Sequence, residues 1–554
     1  MRIYKRLFLI LLSSVMLILS FTDNLAFLSW FALISYIIAL SKSNFRSAIF
    51  LSALTGLLFF AGITYWFTEY SYVYWFPILG LLSVFFIFYG FIFKLIFLKI
   101  KWACLRILLI SSVWIAVEFL RHRTFLAFPW GVLGYSQHSF LPIMQLSKLT
   151  GVLGVSLLIV LLNLCCAEII MYFINLRLSS VESGSGIAYI SAKTNFNEDF
   201  NNKASCQLVA KSRNKPGNHA VLRKSFFKKP VFIFSITVVA VILLNVIFGT
   251  VYIRKNSNQY EGEKLEIAMV QPNVSFDDKF ATDTDVLIPQ RMESDKKYFK
   301  EGTELIVFPE SVIWGLLEQE RNNSFYKWVR NTAAEENLYF IMGQIVWDEE
   351  NNYYNTVYLY NPKLEIIGRY DKIHPLPCAE YMPYPDIFEF LSFMNMAKLN
   401  ITPAKELILL NYPGKGNIGA NICFESILQI ISRIYRKTGA DILFTFTDTA
   451  GFRESIAAWH HVIFSKTRAI ENNCFMVHSG NNGISAVIDP YGRILAKTEI
   501  GKKEILYGSV YLNNKKSFYS LYGELFIYIY FGASFIVLLF YIIEVKNKKK
   551  QDEE

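Results

Sequence analysis

The sequence predicts a polytopic bundle of about eight membrane-spanning helices joined to an extracytoplasmic layered α/β domain, and three observations predict it. Of its 554 residues, 53% are hydrophobic and 16% aromatic, with positive mean hydropathy, a composition that belongs to a bilayer rather than the cytosol. Apolar runs long enough to cross a hydrocarbon core of about 30 Å fall at residues 7–21, 25–41, 48–67, 74–98, 102–120, 148–174, 230–253 and 521–545. Between the last two runs lies a mixed, polar segment of about 250 residues, which is long enough for a domain.

The amino terminus, MRIYKR followed by LFLILLSSVMLILSF, reads as an uncleaved signal anchor. No small-x-small cleavage site follows it, and a second apolar run begins at once. Residues 1–174 therefore form the first six helices of the bundle, 230–253 the seventh and 521–545 the eighth. With the amino terminus inside, the inside segments are MRIYKR, SKSNFRS, KIK, residues 175–229 and the tail VKNKKKQDEE. All are basic, as membrane insertion favours. Residues 175–229 are rich in Ser, Asn, Lys and Gly and are expected to form a flexible cytoplasmic loop. The net charge of +10 is gathered at the ends of apolar runs rather than along one stripe, so nucleic acid is excluded as a partner. Seven cysteines without a C-x-x-C pair give neither a disulfide framework nor a zinc site, and no metal or cofactor is read from the chain.

Within the outside segment, taken as 263–512, short β-rich runs recur: LEIAMVQ, ELIVFPE, LYFIMGQIVW, YYNTVYLYN, EIIGRYDK, NIGANICFE, DILFTFTD, CFMVHSG and ISAVIDP. Helical stretches such as SFYKWVRNTAAEEN and AWHHVIFSKTRAIE intervene. That alternation predicts sheets flanked by helices.

Glu310, Lys372 and Cys423 each follow a strongly apolar strand, the place where layered α/β folds put reactive side chains. Taken singly, Glu310 reads as a first-turn carboxylate, Lys372 as a solvated strand end and Cys423 as a small buried hydrophobe. Together they supply a base, a cation for an oxyanion and a thiol nucleophile, the set that acyl transfer requires. Spacing alone does not bring them together.

The ordered motifs FPES, YDKIHPLPCAEYMP and NICFES resemble the nitrilase, or carbon-nitrogen hydrolase, superfamily. FPWGVLGYSQ at 128–137, NNGISAVIDPYGRI at 481–494 and the many spans narrow the resemblance to its membrane-bound branch, the apolipoprotein N-acyltransferases. The resemblance implies a nitrilase-like α-β-β-α sandwich, with Glu310 as general base, Lys372 as oxyanion partner and Cys423 as nucleophile. It also implies a supporting role for Glu380, and places Phe424 and Glu425 beside the nucleophile, where a core aromatic and an ion-paired acid remain alternatives. Three places depart from the family pattern: Phe280 where a Trp is common, Cys378-Ala379 before Glu380, and TDTAGF after a later strand.

The implied reaction has two stages. Cys423 takes an acyl chain from a membrane phospholipid as a thioester, then passes it to the amino group of the diacylglyceryl-cysteine that begins an apolipoprotein. The expected location is the inner membrane, with the catalytic domain on the periplasmic side. The apolar segment DIFEFLSFMNMAKLNI, with Phe390 and Phe393, is expected to be an arm that dips into the interface, or an ordinary packed helix. His460 and His461 point to different faces of a helix and lack a third ligand, while Trp66, Tyr74 and Trp75 read as interfacial anchors. Two other readings stay open: a membrane-anchored amidase that uses water as its second nucleophile, and a non-catalytic lipoprotein-binding scaffold.

Overall fold

A computed structural model describes residues 1–69, 72–123, 127–182, 230–256, 259–275, 299–311, 313–316, 324–377, 379–381 and 400–553. Phe280, Cys378, Phe390 and Phe393 lie outside these residues, as does nearly all of the expected arm. Helices cover each of the eight apolar runs: Ile3–Leu19, Ser29–Ser41, Phe45–Ile63, Tyr72–Lys99, Ala103–Arg123, Val152–Glu182, Pro230–Asn256 and Leu525–Glu553. Among the described residues, six stretches are long and apolar enough to cross a membrane, and Ser29–Ser41 belongs to a shorter apolar helical run. The Val152 helix continues to Glu182, into the stretch read as loop from 175, and the last helix runs on through the basic tail. A short helix, Phe518–Tyr522, ends at Gly523 before that last helix begins; its φ of 61° breaks the run read as one span from 521.

Buried polar groups join the helices of the bundle. Arg106 grips Glu168 with two hydrogen bonds of 2.8 Å, joining helices Ala103–Arg123 and Val152–Glu182. Asn163 receives the backbone N–H of Leu33 at 2.9 Å and donates to the carbonyl of Ser29 at 2.9 Å. Such bonds are favoured where neither lipid nor protein offers an alternative partner. Helices Pro230–Asn256 and Leu525–Gln551 bury only 11% of their apolar windows and so present most of their surface outward.

The domain between those two helices contains two sheets. The first comprises β1 (Glu263–Gln271), β2 (Leu305–Val307), β3 (Ile313–Leu316), β4 (Tyr339–Trp347), β5 (Tyr353–Tyr360), β6 (Ile366–Asp371) and β13 (Glu504–Leu512). The second comprises β7 (Leu410–Tyr412), β8 (Gly416–Ile422), β9 (Ile442–Thr447), β10 (Met476–Gly480), β11 (Ala486–Ile488) and β12 (Ile494–Lys497). The orders are β13-β1-β2-β4-β5-β6, with β3 also on β4, and β12-β11-β10-β9-β8-β7. Each sheet has a parallel centre, β1-β2-β4 in one and β8-β9-β10 in the other.

Strand alternation explains the layering. Leu265, Ile267 and Met269 of β1 join Ile341, Val357 and Leu359 in the core shared with the second sheet. Their neighbours Ala268, Val270, Phe340 and Met342 face the other way, onto Trp328 and Val329 of helix Ser324–Glu336. On the second sheet, Gly419 lies so close to helix Gln429–Thr438 that a Cβ there would stand 2.8 Å from Tyr435. Helix Ala457–Asn472 packs on the same sheet, completing an α-β-β-α sandwich. The nine strands and two helices read from the sequence are all present; β3, β7, β12, β13 and helix Gln429–Thr438 were not foreseen.

One finding departs from the reading of boundary aromatics. Trp66 is only 2% exposed and packs on Phe67, Trp130 and Phe452, with centroids at 4.3, 5.3 and 4.8 Å. It is a contact between bundle and domain, because hydropathy locates a residue near a boundary without naming what covers it.

Ile341 is fully buried between the sheets, whereas Ile367 on β6 is 36% exposed. Thermal melting in detergent will show Ile341→Ala destabilised by about 2–5 kcal/mol, and Ile367→Ala within about 0.5 kcal/mol of wild type.

Candidate active site

The strands deliver the candidate residues to one end of the sandwich. Glu310 lies three residues past β2, Lys372 one past β6, Cys423 one past β8, and Asp448 one past β9. The parallel strands end there, and antiparallel β5 and β6 pair Thr356 with Asp371, which returns the end of β6 to the same edge.

Glu310 is 5% exposed and held from two sides. Its Oε1 accepts from Asn355 Nδ2 at 2.8 Å, and its Oε2 accepts from the backbone N–H of Asp448 at 2.9 Å. Gly343 on β4 makes this placement feasible. A Cβ at Gly343 would stand 2.7 Å from the Cα of Glu310 and 2.8 Å from the carbonyl oxygen of Pro309, so only glycine lets the two backbones approach.

Lys372, 1% exposed, sits between two carboxylates. Its Nζ lies 2.7 and 2.9 Å from the two oxygens of Glu380 and 3.6 Å from Glu310 Oε1. Glu380 is fixed in turn by the N–H of Leu376 at 2.6 Å and by Asn355 Nδ2 at 3.1 Å. Asn355 thus touches both acids, and its carbonyl accepts from the N–H of Lys372 at 2.8 Å.

Cys423 opens a 3₁₀ turn, Cys423–Ile427, with φ of 49°. That left-handed conformation costs a non-glycine residue about 1–3 kcal/mol and gathers at functional sites. It turns the chain sharply off β8, and Cys423 feels the charges of both Glu310 and Lys372. Glu425, fully buried, holds the turn in place. One of its oxygens accepts from Tyr370 OH at 2.8 Å and from the N–H groups of Ile373 and His374 at 2.9 and 3.1 Å. The other accepts from the N–H of Ile422 at 2.8 Å. The segments on either side of Lys372 and the start of the Cys423 turn are therefore bound to one carboxylate. Phe424 is 4% exposed and stacks on His374 at 6.0 Å, the setting of a packed aromatic.

The electrostatics follow from burial. Desolvation raises the pKa of Glu310, Lys372 opposes this, and Glu380 and Asp448 reinforce it. Burial also drives the Cys423 thiol well above its ordinary range, with Glu310 adding to the rise and Lys372 opposing it. For Lys372 burial acts downward, but Glu380 and Glu310 outweigh it, so its pKa is raised and it stays a cation. Burial pushes Glu425 up to about 7 against the charge of Lys372 and its hydrogen bonds. Burial thus disfavours the ionised form of both the Cys423 thiol and the Glu310 carboxyl, and the charge of Lys372 favours it in both.

Glu310, Lys372, Glu380 and Cys423 are thus brought together, with Glu425 behind them. Asn355, Gly343 and Asp448 were not singled out from the sequence. A polar Asn in the apolar strand YYNTVYLY was the one available sign of the first.

The FPWGVLGYSQ loop is not a free surface turn. Trp130 Nε1 donates to His460 Nδ1 at 3.0 Å and its ring packs on Phe464 at 4.9 Å, while Tyr135 packs on Phe464 at 4.8 Å. His460 and His461 therefore lie at the contact between bundle and domain.

Comparison with known proteins agrees with this architecture. Residues 266–518 match the family described as carbon-nitrogen hydrolase, and residues 13–165 match the apolipoprotein N-acyltransferase N-terminal domain. An apolipoprotein N-acyltransferase of Geobacter metallireducens is 28% identical over 531 residues, covering 93% of this chain and 91% of the relative. Apolipoprotein N-acyltransferase 2 of Treponema denticola is 24% identical over 573 residues, covering 99% of each. The enzyme of that name from Borreliella burgdorferi is 23% identical, covering 80% of this chain and 76% of its own length. With a multi-helix amino-terminal region of one kind, a hydrolase-type sandwich of the other and relatives aligned nearly end to end, the chain belongs to the apolipoprotein N-acyltransferases.

Proposed function

We propose that the protein transfers an acyl chain from a membrane phospholipid, through a thioester on Cys423, to the amino terminus of diacylglyceryl-cysteine in apolipoproteins. The observation that carries this reading is the convergence of a buried carboxylate, a buried ammonium and a thiol at one sheet edge, on a domain anchored by apolar helices at both ends.

In the first stage Glu310 takes the thiol proton of Cys423 as sulfur attacks the ester carbonyl. Lys372 Nζ stabilises the oxyanion that forms, in a site shielded from water where such a charge interaction is strong. Collapse of the intermediate breaks the ester C–O bond; the leaving alkoxide takes the proton from Glu310 and departs as lysophospholipid. In the second stage the acceptor amine attacks the thioester and gives a proton to Glu310. Expulsion of the thiolate forms the amide, and the proton returns to sulfur. Asn355 and the Asp448 N–H aim Glu310, while Glu380 holds the ammonium and Glu425 fixes the two turns relative to each other.

All eight apolar helices are read as spans, with both termini inside and the domain on the periplasmic side of the inner membrane. Alternation puts the loops near residues 64–71 and 124–151 on the same side as the domain. Trp66 contacts Phe452 and Trp130 contacts His460, which supports that placement. The basic loops support it independently. A hydrolytic amidase would have no use for this broad seat on the bundle.

Two measurements test the proposal. Incubated with a phospholipid labelled in its acyl chain, the wild-type protein will carry label that hydroxylamine releases, and Cys423→Ala will carry none. A folded wild-type protein that takes no label would remove the acyltransferase reading. Glu310→Gln will slow thioester formation by about 10²–10⁴-fold. Because the Glu310 pKa is raised, the wild-type acylation rate will fall as pH drops through a value above the ordinary carboxylate range, where the base becomes protonated. A rate that stays flat down to pH about 4.3, the ordinary Glu value, would assign the base elsewhere.

A further inference from the structure

Arg468 and Glu471, on the helix Ala457–Asn472, are both fully buried and paired at 2.8 Å, outside the cluster just described. A buried ion pair is weak evidence of stability, so its attachments have to explain it. Arg468 Nη1 donates to the carbonyl of Ile427, the last residue of the turn that Cys423 opens, at 3.2 Å. Its Nη2 donates to Tyr135 OH, in the FPWGVLGYSQ loop, at 3.0 Å. Glu471 Oε1 accepts from the N–H of Val152, the first residue of a bundle helix, at 2.8 Å. The loop itself is bound to the bundle: Glu118 accepts from the N–H of Leu133 at 3.0 Å, and Arg121 donates to the carbonyls of Phe128 and Trp130.

The pair therefore touches the membrane bundle at two points and the nucleophile turn at a third. Glu425 fixes the start of that turn from inside the domain, whereas its far end is fixed by a residue that also grips the bundle.

We infer that Arg468, with Glu471, is a positioning residue that makes the geometry of the Cys423 turn depend on how the domain is seated on the membrane bundle. The inference rests on the acyltransferase reading for its purpose, but its physical content is independent of lipid chemistry. Releasing Ile427 lets the strained turn relax and carries the thiol away from Lys372, the cation that favours its ionised form. Burial and the charges of Glu310, Glu380 and Asp448 oppose ionisation of Cys423 and Lys372 favours it, so among the described residues the thiol responds to its distance from that ammonium.

The test follows iodoacetamide alkylation of Cys423 against pH in the full-length protein in detergent, with the modified peptide quantified by mass spectrometry and melting temperature recorded in parallel. Arg468→Lys and Tyr135→Phe are expected to move the alkylation midpoint upward, with a rate at pH about 8 lowered about tenfold for each unit of that movement. Thioester formation will show a lower kcat with little change in KM for phospholipid. A purely structural role would lower the melting temperature and leave the midpoint of the folded fraction where it is in the wild type. Tyr135→Phe removes one oxygen and keeps the ring on Phe464, so it decides the matter where Arg468→Lys fails to fold. A folded Tyr135→Phe protein with the wild-type alkylation profile would overturn the inference. Alkylation needs no lipid, so a wild type that forms no thioester would sink the acyltransferase reading without touching this result.

Discussion

A buried carboxylate and a partly exposed one share one ammonium in this site, and the remaining geometry serves to keep them there. Taking a charged group out of water costs several kcal/mol, and an unpaired one would change protonation or draw water inward. Lys372 lies in direct contact with Glu380 and offsets part of that penalty for Glu310 at 3.6 Å. The two contacts differ: Glu380 pairs directly with the ammonium, whereas Glu310 stands farther off and burial raises its pKa. Asn355, which donates to both, preserves the difference by fixing each oxygen separately.

The fold meets this demand by bringing the ends of four strands, β2, β6, β8 and β9, to one edge. Backbone groups, which cannot wander as side chains do, provide much of the alignment: the N–H of Asp448 for Glu310, of Leu376 for Glu380, and of Ile422, Ile373 and His374 for Glu425. The membrane bundle adds a second frame through Trp66, Trp130 and Tyr135, so the sandwich rests on an aromatic and hydrogen-bonded seat rather than hanging from two tethers.

Much of this was legible in the chain itself. Apolar runs are a local property, so the eight helices could be read directly, and long β-branched and aromatic runs gave away the nine longer or more apolar strands. Strands β2 and β8 ended visibly at FPES and NICFES, which exposed Glu310 and Cys423. The short strands β3, β7 and β12 were not read, although β2 and β11, which are as short, were; β13 is long but mixed, EILYGSVYL. Asn355 and Gly343 acquire their meaning only from partners in other parts of the chain, and no local pattern distinguishes a glycine that admits a backbone from one that merely bends. Trp66 reads from the sequence as an interfacial anchor, whereas in the fold its ring packs on Phe67, Trp130 and Phe452.

The contact between Glu310 and Asp448 leaves a freedom in the loop TDTAGF. The donor there is a main-chain N–H, which every residue except proline possesses, so Glu310 can be oriented while the side chains around it change. Side chains in that loop can therefore differ next to Glu310 without changing its direction, so the placement of this carboxylate and the chemistry of the loop become separable traits within a few residues of one another.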